Sequence, residues 1–236
     1  MTAFDPAPAQ TPSFTVDGQT VAFTPGQTVL TAALAAGVFI PHLCHHPQLK
    51  PQGGCKLCTV TVNGHSGSAC TLAAAPGLAV ESNTPALNGQ RRVLLQMLFV
   101  DGDHFCPGCE KSGQCQLQAM AYQLEMLTPH FRHAFQPRAL DASHPDVWLD
   151  RNRCIVCELC VRASRDIDGK SVFLLAGRGA AVTLVVDSPT GLLGDSAVAR
   201  DDAAVQVCPV GALLPKRVGF VVPIGQRQFD DDEPLP

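Results

Sequence analysis

The chain lacks any excess of positive charge. Its formal net charge is −4, so the electrostatic footprint of a nucleic-acid binder is missing. Aromatic residues are few, at 6%, with one Trp and one Tyr. No run of about 18 apolar residues occurs, so no transmembrane helix is expected. The N-terminus, MTAFDPAPAQTPSF, has no basic stretch leading into an apolar one. It does not read as a secretory signal, and the expected compartment is the cytosol. Nucleotide fingerprints fail as well. Gly177-Arg178-Gly179 lacks the third glycine and the βαβ context of a dinucleotide site, and Gly169-Lys170-Ser171 lacks the earlier glycine of a phosphate loop. No nucleophile–base constellation and no flavin or nicotinamide fingerprint is found.

Cysteine is what the chain does have. Eleven occur in 236 residues, a length that suits one large domain or two to three small ones. Hydrophobic content is an ordinary 46%. The number of cysteines is odd and the chain is not a short secreted scaffold, so metal ligation is favoured over disulfides. Three groups account for all of them: Cys44, Cys55, Cys58 and Cys70; Cys106, Cys109 and Cys115; and Cys154, Cys157 and Cys160 with a distant Cys208.

Around the first group, residues 13–24 alternate apolar and polar about Asp17-Gly18, which predicts a β-hairpin with a type I′ turn. Residues 28–36 predict a short apolar helix, entered at Gln27 or Thr28 and closed by Gly37. Cys58–Val62, the Asn63-Gly64 turn and a return strand follow, with Leu78–Glu81 as a further strand. A small mixed sheet carrying one helix suggests a β-grasp domain. Gly53 and Gly54 let the backbone wrap closely before Cys55. Four thiolates are what a [2Fe–2S] cluster needs, with a zinc site as the alternative. The ten-residue gap between Cys44 and Cys55 is longer than the plant-type ferredoxin spacing. His42, His45 and His46 surround Cys44; one of them as a ligand is the alternative, but four cysteines already complete such a site, and the three histidines are expected to be surface or supporting residues.

Residues 86–100 and Gln116–Leu127 read as amphipathic helices holding the second group between them. Arg91 and Arg92 are expected to be solvated or to meet a partner. Three thiols leave one position open on a [4Fe–4S] cluster. His104 is the nearest donor for it; His130 and His133 are weaker candidates that read as surface residues. In the third group, Cys-x2-Cys-x2-Cys followed by Cys208-Pro209 is the pattern of bacterial-type ferredoxins. Ser164 stands where a second cluster would need a cysteine, so one [4Fe–4S] cluster on Cys154, Cys157, Cys160 and Cys208 is expected, with Ser164 as a serinate ligand the alternative. Short strands are expected within 171–186, and Phe229-Asp230-Asp231-Asp232-Glu233 reads as a solvated tail.

The run Cys106-Pro-Gly-Cys-Glu-Lys-Ser-Gly-Gln-Cys-Gln-Leu-Gln118 resembles a motif of one His and three Cys in the large iron–sulfur subunit of NADH dehydrogenase and in hydrogenase electron-transfer subunits. The long gap after Cys44 resembles the same subunits. In that family the His stands four residues before the first Cys, a position held here by Gly102. The displaced His104-Phe105-Cys106 resembles the small diaphorase subunit of bidirectional NAD-reducing [NiFe] hydrogenases, as does the whole chain on through Lys216-Arg217-Val218-Gly219-Phe220. The resemblance implies an α+β architecture: a [2Fe–2S] ferredoxin-type domain over 1–84, a one-His, three-Cys [4Fe–4S] segment over 85–140, a single-cluster [4Fe–4S] ferredoxin-type domain over 141–225 and an acidic tail over 226–236. It implies a cytoplasmic complex in which this subunit passes single electrons. One partner is a flavin-containing diaphorase large subunit carrying FMN and NAD; the others are the small and large (NiFe) hydrogenase subunits. The alternative is the iron–sulfur subunit of an NADH:quinone oxidoreductase or an NAD-dependent formate dehydrogenase. Such chains continue into further domains, whereas this sequence ends 28 residues after Cys208.

Overall fold

The computed structural model describes residues 11–230. The alternating segment at the start forms β1 (Ser13–Val16) and β2 (Gln19–Ala22), paired antiparallel. Asp17 and Gly18 both have positive φ, 50° and 85°, as a type I′ turn requires. α1 (Val29–Ala35) begins at Thr28, which exchanges capping-box hydrogen bonds with Thr31. Gly37, just past its end, takes the left-handed conformation at φ 72°. β3 (Thr59–Val62) and β4 (His65–Ser68) form a second hairpin over Asn63-Gly64. β5 (Ala79–Glu81) lies between the hairpins, parallel to β1 and antiparallel to β3. The sheet order is β2-β1-β5-β3-β4. The sheet and α1 close on a core that includes Phe14, Val21, Leu30, Ile40, Val60 and Val80. Because Leu43, Leu49 and Leu57 face away from that core into a second one, the loop bearing Cys44 and Cys55 is held between two packed bodies.

α2 (Pro85–Asp101) starts behind Thr84, whose hydroxyl accepts the Leu87 N–H at 3.2 Å. Here the structure corrects the expectation for Arg91. Its side chain is only 2% exposed and is neither solvated nor free for a partner. Its guanidinium donates to the carbonyls of Leu57, Thr59 and Ser82 and to the side chains of Asn88 and Ser82. A cation with all its donors satisfied can be buried where a bare one cannot. Arg92 is half-exposed, donating to the Leu124 carbonyl at 2.6 Å and pairing with Glu125.

α3 (Gln116–Gln123) is shorter than expected. Glu125 adopts φ 55°, and the Met126 N–H reaches back to the Ala121 carbonyl at 2.8 Å. This is a Schellman ending with glutamate where glycine is usual, so the sequence carried no stop signal.

β6 (Leu140–Asp141), β7 (Val147–Asp150) and β10 (Leu213–Pro215) form an antiparallel sheet that the sequence did not announce. The strands are very short, and Val147, Leu149 and Asp150 are all buried, so β7 shows no period of two. α4 (Leu159–Asp166), the hairpin of β8 (Phe173–Ala176) and β9 (Thr183–Val186), and α5 (Ala203–Gln206) complete the C-terminal part. One core joins it to α2 and α3, with Leu95, Leu117, Met120, Leu149, Leu159 and Leu213 among its members. After β10 the chain runs back over the second cysteine group. The Phe229 N–H donates to the Gly113 carbonyl at 3.0 Å, and Arg227 pairs with Asp230. Phe229 and Asp230 are therefore packed rather than part of a solvated tail; Asp231, Asp232 and Glu233 lie outside the described residues. Among the described residues no helix is long and apolar enough to cross a membrane.

Candidate metal centres

All eleven cysteines are free thiols, and the fold gathers them into the three groups expected. In the first, Cys44, Cys58 and Cys70 are buried and Cys55 is half-buried. Gly53 sits at φ 71°, and a Cβ there would lie 3.3 Å from the Thr71 methyl, so glycine serves both conformation and space. The Cys55 N–H donates to the Cys44 sulfur at 3.4 Å. The thiols interact in pairs. A hydrogen bond from the Cys55 thiol holds Cys44 down to about 5, and the same contact raises Cys55 far above its ordinary range. Likewise a hydrogen bond between Cys58 and Cys70 raises Cys58 and lowers Cys70. Four sulfurs gathered this closely offer a thiolate site, and a metal that bound them would displace the thiol protons to solvent.

His42, His45 and His46 flank Cys44 without joining the four. His42 Nδ1 bonds the Ile40 carbonyl at 2.8 Å, His45 is buried edge-on to His42, and burial lowers the pKa of all three, His45 to about 4. His130 and His133 are exposed.

The second group is built on the loop between α2 and α3. His104, Cys106, Cys109 and Cys115 line one small pocket, together with Ser112, Gln118, Arg153 and Gly211. The His104 ring rests edge-on against Phe99, with centroids 5.5 Å apart. Its Nε2 is buried and has no hydrogen-bond partner. Burial lowers its pKa to about 4, so the imidazole is neutral, the form that ligates metal. A Cβ on Gly102 would fall 2.6 Å from this Nε2 and 2.8 Å from the Asn152 carbonyl oxygen. The displaced histidine thus occupies space that a side chain at position 102 would need. Burial pushes Cys115 up to about 12 and also raises Cys106.

The third group sits at the start of α4 and beside β10. Cys154, Cys157, Cys160 and Cys208 line one apolar pocket with Ile155, Val156, Leu175, Leu184, Val210 and others. Val156 and Glu158 adopt positive φ, 53° and 60°, which curls the Cys-x2-Cys-x2-Cys run around the pocket. Burial raises Cys154 to about 11 and drives Cys157 and Cys160 higher still, with Cys208 adding to the effect. Ser164 is not in the pocket. Its hydroxyl accepts the Val172 N–H at 2.9 Å, and its carbonyl accepts Lys170 and Ser171.

These sets touch one another through residues that the sequence did not single out. Arg162, on α4 two residues past Cys160, donates to the carbonyls of Cys44 at 2.7 Å and Lys50 at 2.8 Å. Gly211, three residues past Cys208, lies against Cys109; a Cβ there would be 2.5 Å from the Cys109 sulfur. Arg153, beside Cys154, reaches Cys109 with Nη1 at 3.6 Å from its sulfur. The third set therefore adjoins both the first and the second. Among the described residues no three His, Cys, Asp or Glu side chains close on a single ion; the donors of the second and third sets stand around cavities. Clustered free thiols and an orphaned buried imidazole suit an iron–sulfur cofactor, whose ligands bind its several corners.

Iron–sulfur domains are also what the chain matches as a class. Residues 9–85 match a 2Fe-2S iron-sulfur cluster binding domain, 91–130 the NADH-ubiquinone oxidoreductase-G iron-sulfur binding region, and 147–214 a 4Fe-4S single cluster domain. Within that class, the chain is 40% identical to the gamma subunit of the NAD-reducing hydrogenase HoxS of Cupriavidus necator, over 92% of both chains. It belongs to that family of hydrogenase gamma subunits. A chain in a crystal structure of NAD+-reducing [NiFe]-hydrogenase in the H2-reduced state superposes with a TM-score of 0.90 at 53% identity, covering 94% of each chain. The mitochondrial 78 kDa subunit of NADH-ubiquinone oxidoreductase from Neurospora crassa is 30% identical over 91% of this chain, which spans only 29% of that longer relative.

Proposed function

We propose that this chain is the electron-transfer subunit of a soluble, cytoplasmic hydrogen:NAD+ oxidoreductase, relaying single electrons between a flavin-containing diaphorase subunit and the small and large subunits of a NiFe module. FMN and NAD would be held by the diaphorase partner. The observation that carries this reading is the 53% identity and 0.90 TM-score, over 94% of each chain, to a chain of an NAD+-reducing [NiFe]-hydrogenase. Cys44, Cys55, Cys58 and Cys70, on a β-grasp ferredoxin-type domain, would hold a [2Fe–2S] cluster. His104, Cys106, Cys109 and Cys115 would hold one [4Fe–4S] cluster, and Cys154, Cys157, Cys160 and Cys208, in a ferredoxin-like C-terminal domain, a second. When bound, such clusters supply one-electron carriers whose potentials answer to ligand charge, burial and hydrogen bonds to sulfur.

The residues of the chain do the rest. Arg162 and Gly211 hold the third donor set against the first and the second. The relay order in space is accordingly first, third, second, which differs from the order along the sequence. Apolar cladding keeps water from the third set, whose pocket is lined by aliphatic side chains. Tyr122, Leu127, Phe220, Val221 and Ile224 are exposed and line a groove beside Cys106. An apolar surface of that kind supports a subunit with partners rather than a solitary protein. The test is to purify the intact complex, count iron on this chain, and assay H2-dependent NAD+ reduction. About ten irons per chain and H2-linked activity are expected. Zinc in place of iron, or iron with no H2-linked activity, would sink the reading.

A further inference from the structure

The pocket formed by His104, Cys106, Cys109 and Cys115 has a single ionised side chain in its wall, that of Arg153. The guanidinium is locked in place. Nε pairs with Asp150 on β7 at 3.1 Å, and the group lies over the Trp148 ring, 5.4 Å from its centre. Nη1 pairs with Glu110 at 3.1 Å and points at the Cys109 sulfur, 3.6 Å away. Gly211 makes this approach possible, since a Cβ there would lie 3.4 Å from Arg153 Cδ and 2.5 Å from the sulfur. A cation with so many fixed contacts in so little space cannot swing away when the charge beside it changes.

We propose that Arg153 sets the reduction potential of the cluster held by the second donor set, its charge acting on the Cys109 sulfur and being trimmed by Glu110. The proposal deepens the function above and rests on that ligand assignment. A fixed cation donating to a thiolate favours the state that carries one more electron, and does so more strongly away from bulk water. Glu110, bound to the same Nη1, offsets part of that charge. The two side chains therefore act with opposite sign, which a merely structural salt bridge between loop and strand would not do. Arg153 is a positioning residue in this sense; it need not bind iron.

The experiment is an EPR-monitored redox titration of the intact complex. The wild type must show a signal from the second set's [4Fe–4S] cluster; its absence would overturn the ligand reading itself. Arg153→Gln is expected to weaken reduction of that cluster about tenfold, a downward shift of ~59 mV for one electron. Arg153→Lys, which keeps the charge, retains most of the wild-type potential, and Glu110→Gln raises it. A potential unmoved or raised by Arg153→Gln would overturn the proposal, as would a lysine variant shifted as far as the glutamine one. Should Arg153→Gln fail to hold the cluster, Glu110→Gln decides alone: a rise supports the proposal and an unmoved or lowered potential overturns it.

Discussion

His104 shows how much one residue's placement depends on another. Its ring is neutral, its Nε2 is buried without a partner, and it stands where a side chain at position 102 would have to be. Glycine at 102 and histidine at 104 are two parts of one substitution of position. The replacement of a thiolate by a neutral imidazole removes one negative charge from the donor set. His104→Cys is therefore expected to lower the midpoint potential of the second set's cluster. Potentiometry on the variant reads it directly, and an unchanged or higher value would count against His104 as the ligand. The three cysteines beside it were legible from spacing alone. The histidine could be nominated from the sequence but not seated, because seating it required knowing that residue 102 leaves the space free.

At the scale of elements, two buried polar side chains hold strands and helices in register. Arg91 ties α2 to β3 through bonds to backbone carbonyls of Leu57 and Thr59, just behind Cys58. Arg91→Met would leave those carbonyls unpaired in the core and is expected to destabilise the chain by about 3 kcal/mol. Thermal unfolding of the variant measures it; a change under ~0.5 kcal/mol would mean that water reaches the carbonyls. Asp141 on β6 accepts from Ser143 and from the Leu193 N–H at 2.8 Å. Burial alone would raise its pKa, but these bonds and the Arg151 charge together hold it below the ordinary value. A depressed carboxylate stabilises the fold above its unfolded pKa, near 4, and loses that contribution as pH falls through the folded value. Asp141→Ala should thus cost about 2 kcal/mol at neutral pH and progressively less below pH ~4. Parallel denaturant titrations at the two pH values test this, and a cost that does not shrink on acidification would contradict it. Neither residue was identifiable from the sequence. Arg91 in particular looked like a surface charge, because a helical period does not say which of two adjacent arginines faces carbonyls that can accept it.

At the scale of the whole molecule, the three donor sets are joined by side chains and backbone rather than by sequence proximity. Arg162 is the clearest joint, with Nη1 and Nη2 on the carbonyls of Lys50 and Cys44 across more than a hundred residues of chain. Arg162→Met should lower stability by about 2–3 kcal/mol and loosen the Cys44–Lys50 loop from α4. Hydrogen exchange in the Cys44–Lys50 loop is the measurement. Loop amides that exchange no faster than in the wild type would show that the apolar contacts of Leu43 and Leu49 suffice.

Sequence and tertiary structure divide the protein cleanly. Cysteine spacing, turn dipeptides and helix periods were enough for the three groups, the first sheet with its helix, and the iron–sulfur chemistry, because ligand geometry and local backbone preferences act over a few residues. The order in which the groups meet, the burial of Arg91, the sheet of β6, β7 and β10, and the guanidinium at Cys109 were decided only on folding. They depend on which distant carbonyls, sulfurs and glycines come within hydrogen-bond reach, and no local period encodes that.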